Sequence, residues 1–255
     1  MRFASLGSGS RGNALVVEAG TSRALLDCGF SVKSTLARLG RLGLVAEDLA
    51  AILVTHEHGD HVAGVFRFAR RFGLPVFLTH GSCTAITPAA SRIPECRLID
   101  TAAVFSIGDL EIRSFPVPHD AREPVQFVFN DGRHRLGVLT DSGSITPHVV
   151  DTLRLCDALV LECNHDPELL ATSSYPAMLK RRILGDFGHL SNTQAATLLK
   201  QIETKRLQHV VAAHLSEQNN RPALAQEALA AVLNCSTDWI AVASQEDGFG
   251  WRELA

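Results

Sequence analysis

The sequence predicts a mixed α and β fold built as one domain over residues 1–255, and three observations point there. Short apolar runs rich in Val, Ile, Leu and Phe fall into two series, one in each half of the chain, bounded by Gly, Pro, Asn and Asp. Capped segments with apolar residues at helical spacing lie between them. No linker divides the two series, and 255 residues that are 46% hydrophobic can bury a substantial core. The 24 basic and 27 acidic residues, net −3, argue against a chain that coats nucleic acid through a broad basic face. Local basic clusters remain available: Arg67, Arg70 and Arg71; Lys180, Arg181 and Arg182; Lys200, Lys205 and Arg206. Six dispersed cysteines without a Cys-x-x-Cys pair read as reduced core thiols. With no long apolar segment after Met1 and no run of membrane-spanning length, a soluble cytoplasmic protein with no membrane partner is expected.

A first strand is expected over residues 1–6. Gly7-Ser8-Gly9-Ser10-Arg11-Gly12 then matches the G-x-G-x-x-G spacing of a dinucleotide-binding turn, with Asp27 near the place of a ribose-binding acid. That turn must open a helix, whereas residues 13–18 are strand-like and turn at Ala19-Gly20 into another strand over 23–27. A β-meander with a glycine-rich loop is predicted instead. Ser31 or Ser34 caps a helix through Leu39 that ends near Gly40 and Gly43. Next come a strand over 52–55, a polar loop, helical spacing over 62–72 stopped by Gly73, and a strand over 75–79. His80 follows that strand without acidic neighbours and is read as structural.

The polar loop is Thr55-His56-Glu57-His58-Gly59-Asp60-His61, which places three imidazoles and two carboxylates within six residues. Such crowding is expensive unless the groups hold something positive. His56 and His58, two apart in extended chain, project to one side, and Asp60 and His61 follow where the chain turns into a helix. Four ligands can therefore be aimed at one point. Imidazole and carboxylate suit Zn, Mn or Fe, and a loop between a strand and a helix is where open α/β sheets carry their sites.

The pattern His56-x-His58-x-Asp60-His61 resembles the signature of the metallo-β-lactamase-fold hydrolases. The resemblance implies a four-layer αββα sandwich, of the α/β (α+β) class. It also requires a third histidine, a bridging aspartate and a fourth histidine, in that order, from scattered strand ends. A second β-rich series is expected to begin at 97–100. Strands over 104–107 and 110–115 flank Gly108-Asp109 and lead to Pro116-Val117-Pro118-His119, which supplies the third histidine. Strands over 126–129 and 135–139 flank the turn Asn130-Asp131-Gly132, and the second ends in Thr140-Asp141-Ser142-Gly143, which supplies the aspartate.

A helix over 147–155 and a buried strand over 157–161 lead to Glu162-Cys163-Asn164-His165-Asp166. This segment is similar to the family's Glu-x-Asn-x-Asp run, and Asn164 or His165 either lines the site or only ends the strand. A basic helix follows Tyr175-Pro176 to Leu184. Ser191 and Gln194 then form a capping box opening a helix through Glu203, whose amino terminus, with Ser191 and Asn192, offers N–H groups to a phosphate. His-Leu-Ser occurs at both His189 and His214. Only His214 follows a β-run, over 208–213, so it is taken as the fourth histidine and His189 is left for substrate. A helix over 222–233 and strands over 239–243 and 249–252 close the chain.

Carried across residue by residue, the resemblance implies one divalent metal on His56, His58 and His119, a second on Asp60, His61 and His214, and Asp141 between them. Two ions, Zn or Mn with Fe as a further option, then sit roughly 3.5–4 Å apart and hold a bridging hydroxide that attacks an ester. Asp60 and His189 are the catalytic candidates. Gly188-His189-Leu190-Ser191 resembles the Gly-His-x-Ser motif of nucleic-acid-cutting relatives, which implies a phosphodiesterase. The opening Ser8-Gly9-Ser10-x-Gly12-Asn13 resembles the YycJ (WalJ) type branch and implies a 5′-to-3′ exonuclease on DNA. Ser8, Ser10 and Asn13 either contact substrate or only shape a tight turn. The alternative on the same fold is a hydrolase of small thioesters, lactones or cyclic phosphodiesters. Sequence leaves the oligomeric state open.

Overall fold

The computed structural model describes residues 1–86 and 95–255. Two seven-stranded sheets face each other. The first runs in the order β14 (Phe249–Glu253), β1 (Arg2–Gly7), β2 (Ala14–Ala19), β3 (Ser22–Leu26), β4 (Ala51–Leu53), β5 (Val76–Thr79) and β6 (Cys96–Ile99). The second runs β13 (Ile240–Val242), β12 (His209–Ala213), β11 (Ala158–Glu162), β10 (Arg135–Leu139), β9 (Val125–Asn130), β8 (Leu110–Pro116) and β7 (Val104–Ile107). Each sheet is antiparallel on one side and parallel on the other. The parallel sets are β3 to β6 and β10 to β13.

The alternation along each strand explains the layering. In β2, Leu15 and Val17 point into the space between the sheets while Val16 points outward. In β11, Ala158 and Val160 point inward while Leu159 and Leu161 point outward. Both faces are therefore apolar, which is why these strands read as continuous hydrophobic runs. Phe3, Phe127 and Phe129, each fully buried, fill the space between the sheets. Burying such a ring contributes roughly 1.5–3 kcal/mol. Helices α1 (Val32–Arg41) and α3 (Val65–Phe72) pack Leu39, Val65 and Phe68 on the outside of the first sheet. Helices α5 (Pro147–Leu153), α8 (Asn192–Gln201) and α9 (Pro222–Leu233) pack Val149, Leu198 and Leu229 on the outside of the second. Four layers result, the αββα sandwich that the sequence motifs implied.

Three local expectations need correction. The segment at 97–100 does not start the second sheet: β6 pairs parallel with β5 and edges the first. The helix expected over 62–72 is two, α2 (Gly59–Val62) and α3, with the chain bent at Ala63-Gly64. Two short helices were not anticipated, α4 (His80–Ala85), headed by an exposed His80, and α6 (Pro167–Thr172). The remaining helix, α7 (Ala177–Leu184), follows Tyr175-Pro176 as expected.

The bend after α2 has a packing cause. The loops before β2 and after β3 are pressed onto α2, with Cys28 N donating to His61 O (2.9 Å), Asn13 N to Asp60 O (2.8 Å) and Gly64 N to Cys28 O (2.8 Å). A Cβ on Gly29 would lie 1.8 Å from the Asp60 carbonyl oxygen, and one on Gly64 would lie 1.9 Å from that of Phe30. Only glycine lets these backbones touch, and their contact fixes where Asp60 and His61 point.

Candidate metal centre

The site lies where the parallel strands of both sheets end, as expected for open α/β sheets. His56 follows β4, Asp141 follows β10, Glu162 ends β11 and His214 follows β12, while His119 comes from the irregular segment after β8. Asp27 (φ +59°), Asp141 (+52°) and His214 (+53°) are three of the four non-glycine residues with left-handed backbone among the described residues. Such conformations cost about 1–3 kcal/mol each and cluster where function requires a side chain to be re-aimed.

Two sets of donor atoms converge. His58 Nδ1 lies 3.2 Å from His119 Nε2, with His56 completing the group. Asp60 Oδ2 lies 3.4 Å from both His61 Nε2 and His214 Nε2. Asp141 joins the two: its Oδ2 lies 3.1 Å from His61 Nε2, and Asp141, His61 and His56 bring one ligand atom each to within 4.8 Å of one another. Neighbouring ligand atoms around a tetrahedral ion with bonds near 2.1 Å stand about 3.4 Å apart, the spacing seen here. His56 Nε2 and Asp141 Oδ2 are buried and make no hydrogen bond. Orphaned buried donors of this kind are costly unless something binds them, so the residues fit a pair of divalent cations, of the Zn or Mn type.

The outer nitrogens are engaged. Asp27 accepts from Thr55 N (2.9 Å) and Thr55 Oγ1 (2.9 Å), and its Oδ2 holds His61 Nδ1 at 2.8 Å. The Gly188 carbonyl holds His119 Nδ1 at 3.0 Å, and Thr55 Oγ1 lies 3.0 Å from His56 Nδ1. Fully buried Glu162 accepts from Ser142 N (2.9 Å) and Leu190 N (3.1 Å) through Oε2, while Oε1 lies 2.8 Å from His189 Nδ1 and 3.3 Å from His214 Nδ1. A carboxylate on the far nitrogen fixes the tautomer and leaves the near one free for a ligand role. Neither Asp27 nor Glu162 was recognised from sequence as part of the site. The available signal was an acidic residue at the end of a strand buried on both faces.

Electrostatics separate the two sets. Burial and the neighbouring imidazoles push His56 well down, and burial lowers His119, which favours the neutral rings with free lone pairs. Burial also opposes charge on His61 and His214, but Asp141 with Asp27, Asp60 and Glu162 outweighs it, raising His61 and holding His214 at about 10. Asp60 and Asp141 are driven down despite burial by the surrounding histidines. A cation that binds there displaces the protons these histidines hold.

A cavity of about 420 Å³ opens over the centre, lined by His58, Asp60, Asp141, His189 and His214 among others. Ser10 and Asn164 line it too. Ser8 and Asn13 are buried and tie the ligand loops together: Ser8 Oγ accepts from His214 N (2.9 Å), and Asn13 Nδ2 donates to Asp60 Oδ2 (3.1 Å). His165 lies beneath the surface with both ring nitrogens unbonded, and burial pushes it down to about 4. Ser191 Oγ caps α8 by accepting from Gln194 N (3.2 Å), and Asn192 exchanges hydrogen bonds of 2.9 and 2.8 Å with Asn220. Asp120, unassigned from sequence, borders the cavity and accepts from Arg182 Nε at 2.5 Å.

A family model described as a beta-lactamase superfamily domain matches residues 22–214. The chain is 36% identical over 255 residues to exodeoxyribonuclease YycJ of Bacillus anthracis, covering 99% of this chain and 92% of that protein. It is 33% identical over 228 residues to exodeoxyribonuclease WalJ of Streptococcus pneumoniae serotype 2, covering 88% and 85%. Its fold is similar to that of the metallo-beta-lactamase fold protein YhfI from Bacillus subtilis, with a TM-score of 0.75 at 18% identity over 99% of both chains.

Proposed function

The chain belongs to the beta-lactamase superfamily, in the branch of the YycJ and WalJ exodeoxyribonucleases, and we propose that it is a two-metal phosphodiesterase that degrades DNA from a 5′ end. His56, His58 and His119 would hold one cation, Asp60, His61 and His214 the other, with Asp141 shared. The observation that carries the reading is the pairing of this donor set with His189. That imidazole lines the same cavity but is turned by Glu162 so that Nδ1 is occupied and Nε2 is left for substrate.

When bound, two such cations supply a deprotonated water at neutral pH and neutralise charge on the attacked phosphorus. Asp60, on the cavity wall, is placed to receive a proton from the attacking water. Burial works against charge on His189, but Glu162 overcomes it and raises the imidazole, which favours a proton on the ring. His189 Nε2 gives that proton to the departing oxygen as the phosphorus–oxygen bond breaks. Ser10 and Asn164 are placed to meet the substrate, whereas Ser8 and Asn13 act through the ligand loops. Of the basic clusters, that of residues 180–182 reaches the cavity through Arg182. No described helix is long and apolar enough to cross a membrane.

The test is the Mn- or Zn-loaded protein against single-stranded oligodeoxynucleotides labelled at either end, the matching oligoribonucleotide, bis(p-nitrophenyl) phosphate and a thioester. Labelled mononucleotide should leave a 5′-labelled DNA strand at once, and a 3′-labelled strand only at the end of digestion. Turnover of the thioester with no cleavage of either oligonucleotide would instead make the protein a small-molecule hydrolase.

A further inference from the structure

The metal-binding and acid groups make up only part of the cavity's lining. Another part comes from α7 and the segment leading into it: Tyr175, Leu179, Ile183 and Arg182. Leu179 and Ile183 are four apart on the helix and so share one face. Tyr175 is the chain's single tyrosine, half-buried, and its hydroxyl makes no hydrogen bond among the described residues. What it presents is its ring. The wall is held against the centre at two points, Arg182 donating to Asp120 and His189 N to Ile183 O (3.0 Å), while Lys180 Nζ ties it to α6 through Ala171 O (2.7 Å). A ring and aliphatic carbons therefore border the same space of about 420 Å³ as the phosphate-side groups, with room for a nucleotide.

We propose that this wall is a nucleoside subsite, with Tyr175 stacking on the base of the terminal nucleotide, Leu179 and Ile183 packing on its sugar, and Arg182 exchanging Asp120 for the next phosphate. The proposal rests on the phosphodiesterase reading above and specifies how that site takes its substrate. A face that offers a ring and methyl groups reads no base edge, so all four bases are accepted, as is usual where stacking replaces hydrogen bonding. Each terminal residue is then seated in the same way whatever the sequence, which suits stepwise digestion.

The experiment compares kcat/KM on two single-stranded oligodeoxynucleotides that differ only in a normal or an abasic 5′-terminal residue. The wild-type protein should prefer the normal end by about 10- to 100-fold. Tyr175→Ala should bring the normal substrate down to the abasic level and leave the abasic rate where it was, while Tyr175→Phe keeps the preference. Wild-type cleavage of both strands at equal rates would overturn the subsite and leave the nuclease reading intact. Cleavage of neither strand would sink the nuclease reading itself. An equal drop on both substrates in Tyr175→Ala would show that the ring serves something other than the base. The wild-type comparison needs no variant, so a folding defect in one cannot obscure the answer.

Discussion

Replacing Asp141 with Asn is expected to abolish turnover on oligodeoxynucleotides. Asparagine keeps the shape of the side chain and tolerates left-handed backbone, so the +52° φ of this position is not what the exchange perturbs. What disappears is the negative charge that lies against both donor sets, 3.1 Å from His61 Nε2 in one and with a ligand atom within 4.8 Å of one on His56 in the other. Substitution of residues that only orient a metal ligand costs roughly 10- to 100-fold in affinity or activity. A ligand shared by two cations should exceed that, with kcat/KM falling on the order of 10³-fold or more. Retention of activity within tenfold of wild type would place the shared ligand elsewhere.

His189→Ala should show a different signature. Its ring is held by Glu162 at 2.8 Å and lines the cavity, and its proposed task is proton donation, a contribution worth about 10²- to 10⁴-fold. The loss should fall on kcat, with the cation content of the protein unchanged. His189 also lies in a group with Asp141, Glu162 and His214 close enough to share an ion. Loss of a cation from the variant would therefore assign His189 to the metal and remove the acid from the mechanism.

The ligand loop at 55–61 was legible because its chemistry is written in contiguous residues and its neighbours, an apolar run and a helical segment, say what it joins. His119, Asp141 and His214 were legible only through the family pattern, since nothing local distinguishes them from other polar residues after strands. The roles of Asp27 and Glu162 in the site were not read because they are tertiary. Each is an acid whose partner histidine, His61 for Asp27 and His189 for Glu162, lies some thirty residues away in sequence and touches it only in the folded chain. Strand β6 was read correctly as a strand and assigned to the wrong sheet, because local composition sets strand formation while the connection through α4 sets the partner. Helices α4 and α6, of six residues each, are too short to show a helical period. The capping box at Ser191 was read from its spacing alone and is present, yet the same residue was also expected to meet substrate, and its hydroxyl is taken up by the cap.

The claim beneath every prediction is that His56, His58, His119, Asp60, His61, His214 and Asp141 form one centre for two cations. The direct test is elemental mass spectrometry on the wild-type chain after saturation with Mn or Zn and removal of unbound metal. Two equivalents per chain, falling when His58 or His214 is replaced by Ala, is the expected result. Saturation at a single equivalent, or a content indifferent to those substitutions, would contradict it.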